Sequence, residues 1–253
     1  MAALAYSLTV FLHEGTHALT CPLVGQQVQE FNAIYVDCGE GAGAANRIVA
    51  GSASLMNLVL GFLALLALRY TSNQSVIWRF GLWLFMLMNF LTGAGYWMFS
   101  GFANIGDWAT VISGWQPAWA WRGGMALLGS VTFMGFVWFS LRELGKIIGG
   151  TEPELYGRAV KLGVISYLTA VAVVVVLGFF HPLGFLSLPV TAGLAAALGA
   201  MSPLLWMMFW FRAPIFNKTG GSSLIITRSW LAIVVAVIWL AIYIGIFGQT
   251  VHF

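Results

Sequence analysis

Long apolar stretches separated by short polar connections dominate the sequence. A helix needs about 20 mostly apolar residues to span a bilayer. Pro189 and Pro203 predict that the sixth such stretch is kinked or split, and the fourth can continue past Arg142. The pattern predicts an all-α polytopic membrane protein with about seven transmembrane helices, at 3–24, 46–68, 77–99, 119–141, 160–180, 185–211 and 229–249.

Two connections differ from simple loops. Residues 26–43 combine apolar and aromatic positions with Gly39, Gly41 and Gly43, which is typical of a small strand or hairpin. Residues 100–117 contain Gly, Asn, Asp and Pro, and Asp107 could cap a short helix from 108 to 113. No linker marks a separate soluble domain, so we expect one transmembrane domain, 1–253.

The composition supports this architecture. Hydrophobic residues make up 60% of the chain and charged residues 8%, whereas soluble domains carry about 25% charged residues. The lipid bilayer is therefore the expected partner, and the net charge of +3 gives no reason to expect nucleic acid. Two cysteines indicate no disulfide framework, and the sequence leaves the oligomeric state open.

Basic residues are distributed unevenly about the predicted spans. If the spans alternate in direction, Arg47 and Arg122 lie on one side of the membrane. The other nine of the eleven basic residues lie on the side of the N-terminus: Arg69, Arg79, Arg142, Lys146, Arg158, Lys161, Arg212, Lys218 and Arg228. Cytoplasmic loops are enriched in Lys and Arg, so we expect the N-terminus in the cytoplasm and the C-terminus outside.

The first apolar stretch carries a His-Glu-x-x-His motif at residues 13–17. Residues four apart lie on one face of a helix, so His13 and His17 can bind one metal ion, with Glu14 as the base for a water molecule there. A charged side chain at the bilayer centre costs about 3 kcal/mol, which favours a functional role. The alternatives are a buried polar cluster or a motif whose metal has been lost.

A catalytic zinc site needs a third protein ligand. Asp107 is the candidate, because it is the only acidic residue between Glu40 and Glu143 and lies in an irregular segment. The alternative for Asp107 is a solvated helix cap. Cys21, four residues after His17, is the rival ligand, and otherwise a small core residue.

Several amides and the remaining histidines leave alternatives open. Asn57, in the second stretch, can donate a hydrogen bond to substrate or to a developing oxyanion, or bond to a neighbouring helix. Asn104 either orients the turn before residue 107, touches substrate or is a simple turn residue. Asn89 is interpreted as structural, and His181 and His252 as interface residues.

These residues together resemble the site-2-protease-like (M50) intramembrane zinc metalloproteases. His13, Glu14 and His17 match the family's first motif. Residues 50–57 are similar to its Gly-Pro-x-x-Asn segment but lack the Pro, and Asn104 and Asp107 stand where its Asn…Asp-Gly motif falls, without the Gly after Asp. The resemblance covers about residues 5–115, and 119–253 have no counterpart that we can assign.

The resemblance implies a zinc metalloendopeptidase of a bacterial cytoplasmic membrane that cleaves transmembrane protein or peptide substrates. Zn²⁺ would be held by His13, His17 and Asp107, with Glu14 and Asn57 as catalytic residues. Residues 1–117 would form the metalloprotease-like core and 118–253 additional helices. Many bacterial members place the zinc near the cytoplasmic side, whereas the charge pattern here predicts the opposite side. The alternative is a non-proteolytic relative that binds partners, transports or acts as an accessory subunit.

Overall fold

The computed structural model describes residues 1–39, 41, 43–71, 75–148, 152–212 and 229–253. The protein is mostly helical, with a 3₁₀ turn at Met207–Arg212, a π-helical turn at Tyr243–Phe247 and short strands β1 (Glu30–Asn32), β2 (Tyr35–Asp37) and β3 (Val251–His252). The helices are α1 (Ala2–Leu23), α2 (Gly43–Tyr70), α3 (Val76–Ala103), α4 (Asp107–Val111), α5 (Ala118–Ile148), α6 (Glu152–Phe180), α7 (Leu188–Gly199), α8 (Pro203–Trp206) and α9 (Trp230–Ile242).

Six segments of the described chain are helical, long and apolar enough to cross a membrane, which indicates a multi-pass membrane protein. They are Gly43–Tyr70, Val76–Ala103, Ala118–Ile148, Leu155–Phe180, Pro189–Trp210 and Trp230–Phe247. The predicted count of seven is not confirmed, because α1 is not among them. The split of the sixth stretch is confirmed, since α7 ends at Gly199 and α8 begins at Pro203. Residues 213–228, with Lys218 and Arg228, lie outside the described residues.

The helix α1 lies in the interior of the bundle, packed against α2, α3, α6 and α9. Its large exposed apolar side chains, Leu19 and Leu23, are near its C-terminal end, whereas Ser7, Thr9 and His13 are buried. Neighbouring helices therefore shield its polar groups from lipid, where such groups would be costly.

Small residues let α3 approach its neighbours closely. A Cβ added at Gly93 would lie 2.9 Å from the Ser54 carbonyl oxygen of α2, and one added at Gly101 would lie 2.8 Å from Ala126 Cα of α5. Such contacts are typical of membrane helices. The backbones of α2 and α3 are consequently close enough for short amide side chains to bridge them.

The strands form a small antiparallel sheet, in the order β2-β1-β3, beside α1. The Ala33 N–H donates to the Phe247 carbonyl, and the Tyr243 hydroxyl donates to the Ala33 carbonyl at 2.9 Å. Phe11 of α1 packs against the rings of Phe31 and Phe247. The C-terminal helix and its π-helical turn thus hold the sheet against α1.

Candidate metal centre

The motif of α1 faces the interior of the bundle. His13 and Glu14 are buried, and the His17 side chain is 11% exposed. The two imidazole centroids lie 4.9 Å apart, as expected for residues one helical turn apart. Glu14 is close enough to both imidazoles and to Asp107 to interact with them electrostatically.

Asp107 reaches this motif from the start of α4. Gly106 precedes it with a φ of 83°, a backbone conformation that glycine adopts readily, and Trp108 Nε1 donates to Ser54 Oγ of α2. The short helix that the sequence predicts here is present, but the capping role is wrong. Gly106 is the cap residue, and the Asp107 side chain makes no capping bond because it turns towards the two imidazoles.

The ligand atoms of three residues converge on one point. His13 Nε2 lies 3.3 Å and His17 Nε2 lies 3.6 Å from Asp107 Oδ2, and the three atoms all lie within 4.8 Å of one another. Two ligand atoms that each bind zinc at about 2.1 Å with tetrahedral angles are about 3.4 Å apart. The spacing therefore suits a metal ion between them.

Two of these atoms are buried without a hydrogen-bond partner in the described part of the chain: His13 Nε2 and Asp107 Oδ2. Buried polar atoms are nearly always partnered, and either a proton shared between these two atoms, which lie 3.3 Å apart, or a metal ion between them would satisfy both. Burial raises the pKa of Asp107, but the neighbouring imidazoles outweigh burial and leave that pKa below its usual range. The side chain is therefore a carboxylate, which is its ligand form.

Hydrogen bonds at the far side of each ring orient the imidazoles. His17 Nδ1 lies 2.9 Å from the Val49 carbonyl oxygen, which can only accept, so Nδ1 carries the proton. His13 Nδ1 lies 2.6 Å from Asn57 Oδ1. Metal-binding histidines normally donate their second N–H to an oxygen in this way, and both rings thus present Nε2 to Asp107.

Asn57 does not face open space. Its Oδ1 meets His13, its amide N–H donates to Asn89 Oδ1 at 2.8 Å, and the residue is fully buried. The geometry favours the interhelical hydrogen bond over the oxyanion donor. Asn104 ends α3 in the left-handed region, with a φ of 56°, which favours the turn residue among its three interpretations.

Cys21 is not a metal ligand, so that alternative is wrong. Its sulfur forms a disulfide with Cys38, and the two Cα atoms lie 5.8 Å apart, a usual separation for a disulfide. The bond ties the end of α1 to the residue that follows β2. Sequence spacing alone could not show this pairing, because it depends on where the sheet packs.

Tyr96 of α3 was not identified from the sequence. Its ring stacks on the His13 imidazole, with centroids 4.9 Å apart and an interplanar angle of 13°. It also lies close enough to Glu14 and Asp107 to interact with them electrostatically. Because a tyrosine fits the apolar pattern of a spanning helix, periodicity gives no signal that it faces the candidate metal ligands.

Comparisons with protein-family models, with curated proteins and with solved structures find no match for this chain. The family resemblance therefore rests on the motif residues alone. The candidate metal centre rests on the convergence of His13, His17 and Asp107, a group that could hold a metal ion.

Proposed function

We propose that the chain is an intramembrane zinc metallopeptidase that hydrolyses peptide bonds of membrane-embedded protein substrates. The observation that carries the proposal is the convergence of two imidazole Nε2 atoms and the Asp107 carboxylate beside Glu14. A structural zinc site is normally closed by four protein ligands, whereas a catalytic site has three and an open position. Three ligands come together in the described part of the chain.

The chemistry follows from the groups around this position. A bound zinc ion would supply a Lewis acid that polarises the scissile carbonyl and acidifies water. Glu14 takes a proton from the attacking water and passes it to the leaving amine. Tyr96, stacked on His13, donates a hydrogen bond to the carbonyl oxygen as negative charge develops there. Asn57 acts through His13, which it orients.

The substrate class follows from the surroundings. The site lies within a bundle of candidate membrane spans, so a segment embedded in the bilayer reaches it more readily than a soluble protein. Peptide bonds within a helix are shielded by neighbouring turns, and we therefore expect the substrate segment to unwind partly before cleavage.

The cysteine pair adds an argument for orientation. Disulfides persist in oxidising compartments and are rare in the cytosol. The bond between Cys21 and Cys38 supports our proposal that the end of α1 lies on the side away from the cytoplasm. The distribution of basic residues predicts the same side, with the N-terminus in the cytoplasm.

Metal content tests the site directly. We expect about one zinc ion per chain by mass spectrometry of detergent-purified protein, and loss of that zinc in His13→Ala and in Asp107→Ala. The matched control is His181→Ala, which removes another buried histidine and should retain zinc. Zinc lost with His13 but retained without Asp107 would contradict the ligand set.

A second measurement separates the protease from its rival. Cleavage of candidate membrane segments by the zinc-loaded protein would support the metallopeptidase. A chain that binds zinc and cleaves none of them would favour a non-proteolytic partner-binding, accessory or transport protein.

A further inference from the structure

A line of buried polar side chains connects α3 to the metal ligand His13 through α2. Asn57 Oδ1 lies 2.6 Å from His13 Nδ1, and Asn57 Nδ2 lies 2.8 Å from Asn89 Oδ1. Asn89 Nδ2 in turn lies 3.0 Å from Thr9 Oγ1 and 2.8 Å from the Phe85 carbonyl oxygen. The side chains of Thr9, Asn57 and Asn89 are fully buried, so water cannot replace any of these bonds.

The groups around Asn89 fix the orientation of its side-chain amide. The Phe85 carbonyl can only accept a hydrogen bond, so the NH₂ group of Asn89 must face it. Thr9 gives the same answer independently, because its hydroxyl proton is donated to the Ala5 carbonyl at 2.8 Å and its oxygen is left to accept. Asn89 must therefore present its oxygen, and not its NH₂ group, to Asn57.

The orientation of the Asn89 amide in turn determines the tautomer of the His13 imidazole. Asn57 has to point its NH₂ group at Asn89 Oδ1, which leaves its own oxygen facing His13 Nδ1. An amide oxygen cannot donate, so the proton of the neutral imidazole lies on Nδ1. The lone pair is then on Nε2, the atom that faces Asp107 Oδ2 at 3.3 Å.

We propose that Asn89 is a positioning residue that selects the tautomer of His13 and so prepares Nε2 to bind the metal. Asn89 bonds to neither His13 nor Asp107, and acts through Asn57. Without Asn89, the amide of Asn57 can turn over and offer its NH₂ group to Nδ1. That arrangement favours a proton on Nε2, which blocks the metal-binding nitrogen.

The test compares three variants of the full chain in detergent. Asn89→Leu keeps the approximate volume and removes the polarity. Asn89→Asp keeps an oxygen that accepts from Asn57 and should therefore hold Asn57 in its native orientation. Thr92→Val is the matched control, because in the described part of the chain the Thr92 hydroxyl bonds within α3, to the Met88 carbonyl at 2.8 Å, and not to Asn57 or Asn89.

Two readouts are needed. Zinc affinity, measured by competition with a chelator, should fall about 10- to 100-fold in Asn89→Leu, stay near wild type in Thr92→Val and recover substantially in Asn89→Asp. The ¹⁵N NMR signals of labelled histidine in metal-free protein should show His13 protonated on Nδ1 in wild type and shifted towards Nε2 protonation in Asn89→Leu. The His13 signal is assigned by its loss in His13→Gln.

The role in metal binding rests on the proposed zinc site, but the tautomer does not. If the wild-type protein binds no zinc but Asn89→Leu still changes the His13 tautomer, the proposed function is contradicted and this inference is supported. A neutral His13 that is protonated on Nε2 and not on Nδ1 in wild type would overturn the inference. An Asn89→Leu variant that folds with an unchanged tautomer and unchanged zinc affinity would also overturn it.

Discussion

The two halves of the chain, 1–117 and 118–253, use polar groups in opposite ways. In the first half, buried polar side chains from α1, α2 and α3 bond to one another across helices, and His13, Asn57 and Asn89 are joined in this way. In the described part of the second half, the buried polar residues are Ser140, Glu143, Ser166 and His181. Glu143 is partnered within its own helix, by Lys146 at 2.6 Å.

This difference between the halves corresponds to two ways of holding helices together, by apolar packing and by hydrogen bonds between helices. Apolar helices can be held together by shape and volume, which tolerate small shifts. A line of hydrogen bonds between helices fixes the positions of particular atoms and their proton positions as well, because each donor must meet an acceptor. A metal centre needs the second kind, since its ligand atoms must converge within a few tenths of an ångström.

The second half still supports the first. Trp239 Nε1 of α9 donates to Ser7 Oγ of α1 at 2.8 Å, and the Tyr243 hydroxyl holds the sheet through the Ala33 carbonyl. The later helices therefore brace α1 and the sheet from outside, without adding a residue to the ligand group found in the described part of the chain.

The two buried glutamates provide the sharpest comparison. Glu14→Gln should retain zinc and lower the cleavage rate about a thousandfold, because an amide cannot take the proton from water. Glu143→Gln should leave the cleavage rate within about twofold, since Glu143 pairs with Lys146 in the described part of the chain and does not belong to the group of His13, His17 and Asp107. Initial cleavage rates with metal content measured in parallel decide the point. Cleavage retained by Glu14→Gln would contradict the base assignment.

Two tyrosines extend the comparison to a smaller effect. Tyr96→Phe should reduce kcat by about a hundredfold with zinc content unchanged, because it removes one hydrogen-bond donor to the developing charge. Tyr167→Phe removes a hydroxyl that donates to the Leu198 carbonyl at 3.2 Å, in the second half, and should leave kcat unchanged. Equal rates for Tyr96→Phe and wild type would restrict Tyr96 to packing against His13.

The smallest expected effect concerns two histidines with opposite hydrogen bonding. His13 Nδ1 faces an oxygen and donates, whereas His181 Nδ1 accepts from the Leu183 N–H at 3.2 Å, so His181 must be neutral for that bond. Burial lowers the pKa of His181, although nearby Glu30 acts in the opposite direction. The unfolded chain therefore binds a proton more readily than the folded one as pH falls through about 6.5.

Lowering the pH should consequently destabilise the wild-type protein more than a variant that lacks the His181 imidazole. Between about pH 7.5 and about pH 5.5, the unfolding midpoint of wild type should fall about 2–4 °C further than that of His181→Gln, both measured without added metal. The difference between the two proteins isolates His181, because His13 and His17 are common to both. Parallel curves would show that His181 has the same pKa in the folded and unfolded chain.

Much of the architecture was predictable because helix formation and membrane insertion depend on local properties. The apolar stretches, the split near Pro203 and the short helix after Gly106 all follow from runs of side chains within one element. The position of α1 was not predictable from local sequence, since its sequence resembles a membrane span while its neighbours bury it in the bundle. Only the packing of α2, α3, α6 and α9 around it explains how it can carry His13 and Glu14.

The sequence by itself determined which residues could bind a metal, because spacing of four within a helix brings His13 and His17 to one face and Asp107 stands alone among apolar neighbours. Only the tertiary structure decided that Asp107 reaches them, that Tyr96 stacks on His13 and that Cys21 pairs with Cys38. Asn89 belongs to this second group. These contacts join residues far apart in the chain, and their distances depend on how closely small residues allow helices to approach, which no local pattern records.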